Sequence, residues 1–212
     1  MPPAMDTRTP TAVTAEPPIT GSQLARLLHA RHTVLPKRLG APGPGQSELD
    51  QILGAAAAAP DHGTLVPWRF VIVPPQQRAR LAAVFAQSLR ESDAAATPDE
   101  RGRAREKAFQ APVLMLAIVR LGPDNGEIPA SERILSAGCA IQNMLLTATV
   151  LGYESALTSG KSLQSDGLRA LFSLEEYEQP LCFISLGTML NYKAGPERPA
   201  LERYVSELKH AP

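Results

Sequence analysis

The side chains that could do chemistry are few and widely spaced. Cys139 and Cys182 sit in the apolar strings Ala137-Gly138-Cys139-Ala140-Ile141 and Pro180-Leu181-Cys182-Phe183-Ile184. Such settings suit small buried hydrophobes better than a disulfide or a metal pair. His29, His32, His62 and His210 show no zinc-ligand spacing. Ser159, His62 and an aspartate could be assembled into a hydrolase triad on paper, but no Gly-x-Ser-x-Gly turn supports it. The chain also has no Gly-x-Gly-x-x-Gly after a strand, no Walker loop and no His-Glu-x-x-His helix. An enzyme with this inventory leaves the difficult chemistry to a cofactor.

Elements to carry those residues can be read from the apolar pattern. Leu24, Leu27 and Leu28 give a short amphipathic helix from Ser22 that ends near Arg31-His32. Ser47 is placed to cap a second helix, whose apolar face is Leu49, Ile52 and Leu53 and which Pro60 stops. Residues 69–73 form a short β-prone run between prolines, and 76–92 and 98–109 are helical by composition and period. The nearly continuous apolar run Val113 to Val119 reads as a strand covered on both faces. Ala130 to Leu151 is the longest helix and carries little polar surface, so it must be buried, either in the core or partly in a subunit interface. Gly152 to Leu157 leads into the polar turn Thr158-Ser159-Gly160, a short helix covers 162–172, and Pro180 to Leu186 is a second buried strand.

Length and charge bound the class. At 212 residues with 44% hydrophobic content, the chain suits one well-cored α/β domain. Lysine plus arginine equals aspartate plus glutamate at 21 each. The one basic run, Arg101-Gly102-Arg103-Ala104-Arg105, is flanked by Glu100 and Glu106 and reads as a solvated helix face, which argues against nucleic acid as a partner. No stretch is apolar for the roughly 20 residues of a membrane span. Residues 1–19 read as a disordered tail without the regions of a signal peptide, so a cytoplasmic location is expected.

Four segments, in order, resemble the nitroreductase family, especially its compact single-domain NAD(P)H-dependent branch. They are Leu27 to Thr33 with Arg31-His32-Thr33, Ala59-Pro60-Asp61-His62 running to Pro67-Trp68, Ser136 to Asn143 continuing to Thr158-Ser159-Gly160, and Phe183 to Thr188. Together they span about residues 22 to 195. The resemblance implies an α+β fold in three layers, a mixed central β-sheet flanked by helices, in an intertwined homodimer. It implies an FMN-binding domain over 20–212, with NADH or NADPH as transient electron donor. The acceptor would be a nitro compound, a quinone or a similar small molecule, reduced by a ping-pong cycle.

The same resemblance assigns residues. Arg31 would pair with the FMN phosphate, the alternative being an arginine on the carbonyls of its own helix end. Thr33 would add a hydroxyl, and His32 stands where a second basic residue is usual. His62 would lie near the flavin, or simply cap its loop. Leu157, Thr158, Ser159 and Gly160 would meet the isoalloxazine edge with hydroxyls and backbone N–H groups, unless they form an ordinary turn. Lys193, or Arg198, could add a phosphate contact. Thr64 and Val66 replace the family's usual Asn and Gln, Leu157 its Trp, and Ala58 an arginine of the compact branch. The Val66 and Ala58 departures keep open a flavin-binding dimer with little turnover, and a flavin-modifying or dehalogenating relative on the same scaffold is a second enzyme reading. A lid of the kind such relatives carry is not evident beyond residues 88–108.

Overall fold

The computed structural model describes residues 19–123, 127–192 and 194–208; of the tail expected over 1–19, only Ile19 falls within them. The helices are α1 (Gly21–Ala30), α2 (Gln46–Gly54), α3 (Arg78–Ser92), α4 (Pro98–Glu106), α5 (Ala130–Val150) and α6 (Asp166–Leu171). The strands are β1 (Leu39–Gly40), β2 (Trp68–Ile72), β3 (Val113–Arg120), β4 (Glu154–Thr158) and β5 (Glu178–Met189).

β5 is the hub of the sheet. It pairs with β3 on one side and β4 on the other, β1 pairs with its C-terminal end, and β2 closes the far edge beyond β3. All four strand pairings are antiparallel. Among the described residues the parallel component of the expected mixed sheet is a single bridge, Thr33 to Ser155.

Period-two alternation builds the three layers. Met115, Ala117, Cys182, Ile184 and Leu186 point to one face, where α2 and α5 cover them with Leu49, Ile52, Ala140, Met144 and Ala148. Leu114, Leu116, Ile118 and Phe183 point to the other, against Leu81 and Ala82 of α3 and Leu168 of α6. β3 is thus buried on both faces, as its apolar run requires. The buried Arg78 at the start of α3 donates to the carbonyls of Val73 at 2.8 Å and Ala108 at 2.7 Å. Those bonds satisfy its charge and tie both ends of the α3–α4 excursion to the sheet.

Three local expectations shift. The second helix is capped at Gly45, not Ser47, because Glu48 accepts the Gly45 N–H at 2.8 Å. Its continuation, Ala55–Ala58, tightens to a 3₁₀ turn. The 162–172 helix divides into a 3₁₀ turn, Lys161–Gln164, and α6, whose N-cap Ser165 accepts from the Leu168 N–H.

The long helix α5 buries one face only. Ser136, Ala137, Ala140, Ile141, Met144 and Leu145 are enclosed, while Ile134 and Leu135 are 42% and 68% exposed and Gly138 opens on empty space. Helix α1 has no buried residue, and its Leu24 and Leu28 face outward.

Candidate functional site

Thr20 starts α1 with a reciprocal capping box with Gln23. The helix stops at Arg31, whose backbone turns extended while its N–H still donates to the Leu27 carbonyl at 3.2 Å. The orphan carbonyls there belong to a different arginine. Arg198 donates to the carbonyl of Arg31 at 2.6 Å and to that of His29 at 3.4 Å. Arg31 itself is half-buried, and burial first, then Arg198, lower the pKa of its guanidinium while Glu154 opposes them. Two guanidiniums therefore share one neighbourhood with a single carboxylate.

His32 is half-buried beside them. Its Nδ1 lies 3.1 Å from the Ala30 carbonyl and 3.9 Å from Glu154 Oε2. Its Nε2, like Glu154 Oε2, is buried with no hydrogen-bond partner among the described residues. A buried ring nitrogen without a partner is costly unless something polar is brought to it. Next in sequence, Thr33 is exposed and bridged to Ser155, and Val34 donates to the Ser155 carbonyl at 3.0 Å. His32, Thr33, Arg38, Met189 and Ala194 line a recess of about 280 Å³.

A cleft of about 790 Å³ opens next to the recess, and Leu35 lines both. Its walls are Leu35 to Lys37, the turn Thr158 to Ser162, and the facing sides of α3 and α4. That volume is in the range of cofactor and small-ligand sites. The structure thus places His32-Thr33 and Thr158-Ser159-Gly160 in two neighbouring cavities that share Leu35 as a wall. Strand alternation separates Leu157 from that group. Thr158 pairs with Phe183 on the α3 side, whereas Leu157 pairs with Ile184 and is exposed on the α5 side.

The His62 loop lies elsewhere. β2, which it feeds, and β4 are on opposite flanks of the sheet, three inter-strand spacings or about 14 Å apart. His62 Nδ1 is 2.8 Å from Glu132 Oε2 at the start of α5, a hydrogen bond that aims the ring. Thr64 turns its hydroxyl onto the Gly63 carbonyl at 2.7 Å. Gly63, Thr64 and Val66 all take positive φ, 70°, 52° and 46°, and Asp61 Oδ2 holds the Val66 N–H at 2.7 Å. A β-branched residue at such a φ stores strain of about 1–3 kcal/mol, a pattern found at ligand clamps and switch regions. Neither His62 nor Thr64 lines the cleft or the recess. Lys193 lies outside the described residues.

Sequence reasoning passed over Arg38 in the recess and Lys37, Arg103, Lys107 and Lys161 in the cleft. A lone cation on a turn or a helix is indistinguishable from a solvated one until the wall it faces is known.

The family model for the nitroreductase family matches residues 14–188. A Haemophilus influenzae protein named "Putative NAD(P)H nitroreductase" is 30% identical over 152 residues, 72% of this chain and 82% of that protein. "Putative NAD(P)H nitroreductase YdjA" of Escherichia coli K12 is 33% identical over 153 residues, 71% and 81% of the two chains. Among solved structures, a nitroreductase-like family protein from Bacillus cereus matches with a TM-score of 0.74 at 16% identity, covering 92% of this chain and all (100%) of that one. A nitroreductase with bound FMN from Bacteroides fragilis matches with a TM-score of 0.67 at 20% identity, covering 88% and 99%. The two structures establish the shared three-layer fold, and the family match extends over most of the chain, so this protein belongs to the nitroreductase family of oxidoreductases.

Proposed function

We propose that the chain is an FMN-dependent oxidoreductase that passes electrons from NADH or NADPH to a small nitro compound, quinone or similar acceptor. The observation that carries this reading is the unpartnered, buried Nε2 of His32 beside Arg31 and Arg198, at a recess that shares the wall residue Leu35 with a cofactor-sized cleft. These residues fit a phosphate-bearing cofactor. A guanidinium forms two parallel bonds to a phosphate, and an imidazolium or a hydroxyl adds a third. With Arg198 satisfying the α1 carbonyls, Arg31 is left for an anion.

Arg31, His32, Thr33 and Arg38 would hold the FMN phosphate. The reading keeps Lys193 as a further contact on charge and sequence position alone. Thr158 and Ser159, with the backbone of Gly160, would offer hydroxyl and N–H donors to the edge of the ring system and stabilise negative charge there. When bound, FMN supplies the redox chemistry, accepting hydride from the nicotinamide and giving electrons to the acceptor in the second half of a ping-pong cycle. The chain's own task is to bind, orient and exclude water.

His62, Thr64 and Leu157 belong to this reading through a homodimer, in which the partner subunit's His62 loop would close over the cleft. Support comes from surface that one protomer leaves bare: Leu24 and Leu28 of α1, and Ile134, Leu135 and Gly138 of α5. Apolar helix faces of this kind mark association surfaces. Residues 20–212 would act as one domain. No helix among the described residues is long and apolar enough to cross a membrane, and the reading places the enzyme in the cytoplasm. The experiment is anaerobic addition of NADH or NADPH to the yellow protein, followed by a quinone. Bleaching and recovery are expected; a flavin that stays oxidised under excess of both nucleotides defeats the reductase reading.

A further inference from the structure

Two serine hydroxyls at the cleft have no partner in the fold. Ser185 interrupts the apolar run of β5, between Ile184 and Leu186, and is 1% exposed. Strand alternation puts it on the same face as Phe183, with Leu114 of β3 and Ala156 of β4 as its cross-strand neighbours. Ser88 continues the core-facing stripe of α3 that begins at Leu81 and Phe85, and is 5% exposed. Both residues line the cleft. Each stands just past the edge-on contact of Phe85 with Phe183, one turn further along α3 and two residues further along β5. Ser92, on the next turn, donates to the Leu89 carbonyl at 3.1 Å, but neither Ser88 nor Ser185 makes a side-chain hydrogen bond among the described residues. An enclosed hydroxyl without a partner costs the fold its desolvation, and alanine would serve packing better at both positions. Unsatisfied hydroxyls on a cavity wall point to a ligand that satisfies them.

What the hydroxyls offer and where Ser185 lies define the ligand group. A serine hydroxyl both donates and accepts, as an alcohol does, whereas an ionised phosphate only accepts. A carbon chain carrying alcohols answers two such groups without bringing charge onto an apolar floor. Along β5, Leu186 pairs with Ser155, which is bridged to Thr33 at the recess, and Phe183 pairs with Thr158 at the turn. Ser185 falls between those two levels, about 7 Å along the strand from Phe183. A phosphate held at Thr33 and a ring edge held at Thr158 leave the connecting chain of the cofactor at the level of Ser185. We infer that Ser185 and Ser88 are further cofactor-binding residues, a polyol subsite that takes the hydroxyls of the ribityl chain of the flavin. The inference rests on the reading of the chain as an FMN-dependent oxidoreductase.

The test titrates the full chain, freed of flavin, with three ligands followed by flavin fluorescence. They are FMN, riboflavin, which lacks the phosphate, and lumiflavin, which carries a methyl group in place of the whole chain. Ser88→Ala/Ser185→Ala is expected to weaken FMN and riboflavin by a common factor of about 5- to 50-fold, the loss of two hydrogen bonds, and to leave lumiflavin unchanged. The ratio of FMN to riboflavin affinity should not move, because it reports the phosphate partners alone. The thermal midpoint of the flavin-free protein should stay equal or rise, since two unpartnered hydroxyls have been removed. Ser185→Cys, close in shape and a weak hydrogen-bonding group, should weaken riboflavin in the same sense. Riboflavin affinity undiminished in these variants would overturn the subsite. So would equal weakening of lumiflavin, because the hydroxyls would then meet the ring, or a lowered midpoint, because they would then serve the fold. A protein that takes up none of the three flavins loses the FMN reading and the inference with it. One that binds them in the expected pattern but is not bleached by NADH or NADPH keeps the subsite and loses only the reductase reading, so the failures are distinguishable.

Discussion

Thr33 and Ser155 face one another across a parallel bridge, and the Val34 N–H donates to the Ser155 carbonyl at 3.0 Å. The end of α1 is thereby fastened to β4, three residues before Thr158. A phosphate group at Arg31-His32-Thr33 and a ring edge at Thr158-Ser159-Gly160 can be held in fixed relation because one strand supports both. Pre-set geometry of this kind lowers the entropy cost of binding a two-ended cofactor.

Arg31→Ala is expected to weaken FMN affinity by about 10- to 100-fold, the loss of a charge-assisted pair. The thermal midpoint should move by no more than a few degrees, since Arg198 and not Arg31 satisfies the carbonyls of α1. Titration of the apoprotein followed by flavin fluorescence measures the first effect and circular dichroism the second. FMN affinity equal to that of the unaltered protein would remove Arg31 from the site.

If each flavin site takes Arg31 from one protomer and His62 from its partner, two defective variants can repair each other. Arg31→Ala and His62→Ala should each bind FMN poorly. Unfolding and refolding an equal mixture should restore about a quarter of the native sites, because half of the dimers are then mixed and each mixed dimer holds one intact site. No recovery in a mixture shown to contain mixed dimers would mean that His62 works in its own chain or not at all.

The buried Glu178 takes both arms of the Arg69 guanidinium, at 2.5 and 2.6 Å, and accepts the Glu175 N–H at 3.1 Å. The Arg69 hydrogen bonds first, then the Glu175 N–H, hold its carboxyl below the ordinary value of 4.5 against the opposing effect of burial. A depressed folded-state carboxyl contributes stability that is fully present above its unfolded value and is lost as pH falls through its folded value. Urea unfolding should therefore show stability declining below about pH 4.5. Glu178→Gln should flatten that decline and cost about 2–3 kcal/mol at pH 7, less than for a fully enclosed pair because the Arg69 side chain is 38% exposed. An acid limb unchanged in Glu178→Gln would show that the pair does not drive it.

Burial pushes the Cys182 thiol up to about 11, while Cys139 is only half-buried on α5. The nucleophile is the thiolate, so at pH 8 Cys182 should resist a thiol reagent until the chain unfolds. Peptide mapping after native labelling should find a modified residue, if any, at 139. Rapid labelling at 182 would contradict the packing of β5 against α5.

Much of the scaffold was legible because burial writes itself into periodicity. The apolar run Val113 to Val119 read as a strand covered twice and is one, over Val113–Arg120. Ala130 to Leu151 read as a long buried helix and is a helix over Ala130–Val150, with one face enclosed and Ile134, Leu135 and Val150 exposed. The cap at Gly45 was not legible, because Ser47 offers the more familiar side chain while Glu48 reaches back to do the work. The site was legible in its parts and not in its assembly. Nothing along the chain says that β4 and β2 flank opposite sides of the sheet, and this alone separates His62 from Thr158 within a protomer. The outward turn of Leu157 follows from strand alternation, which a tripeptide motif conceals. The basic run at 101–105 read as a solvated face, and only tertiary structure turns Arg103 toward the cleft while Arg101 donates to the Ala96 carbonyl at 2.6 Å.

Whether the chain holds FMN is decided by the visible absorption spectrum of the purified protein, taken before and after incubation with FMN and desalting. Flavin bands that survive desalting, at close to one FMN per chain, are expected, and they should diminish in Arg31→Ala. A folded protein that stays colourless after incubation with FMN would mean that Arg31, His32 and Thr158-Ser159-Gly160 do not form a flavin site.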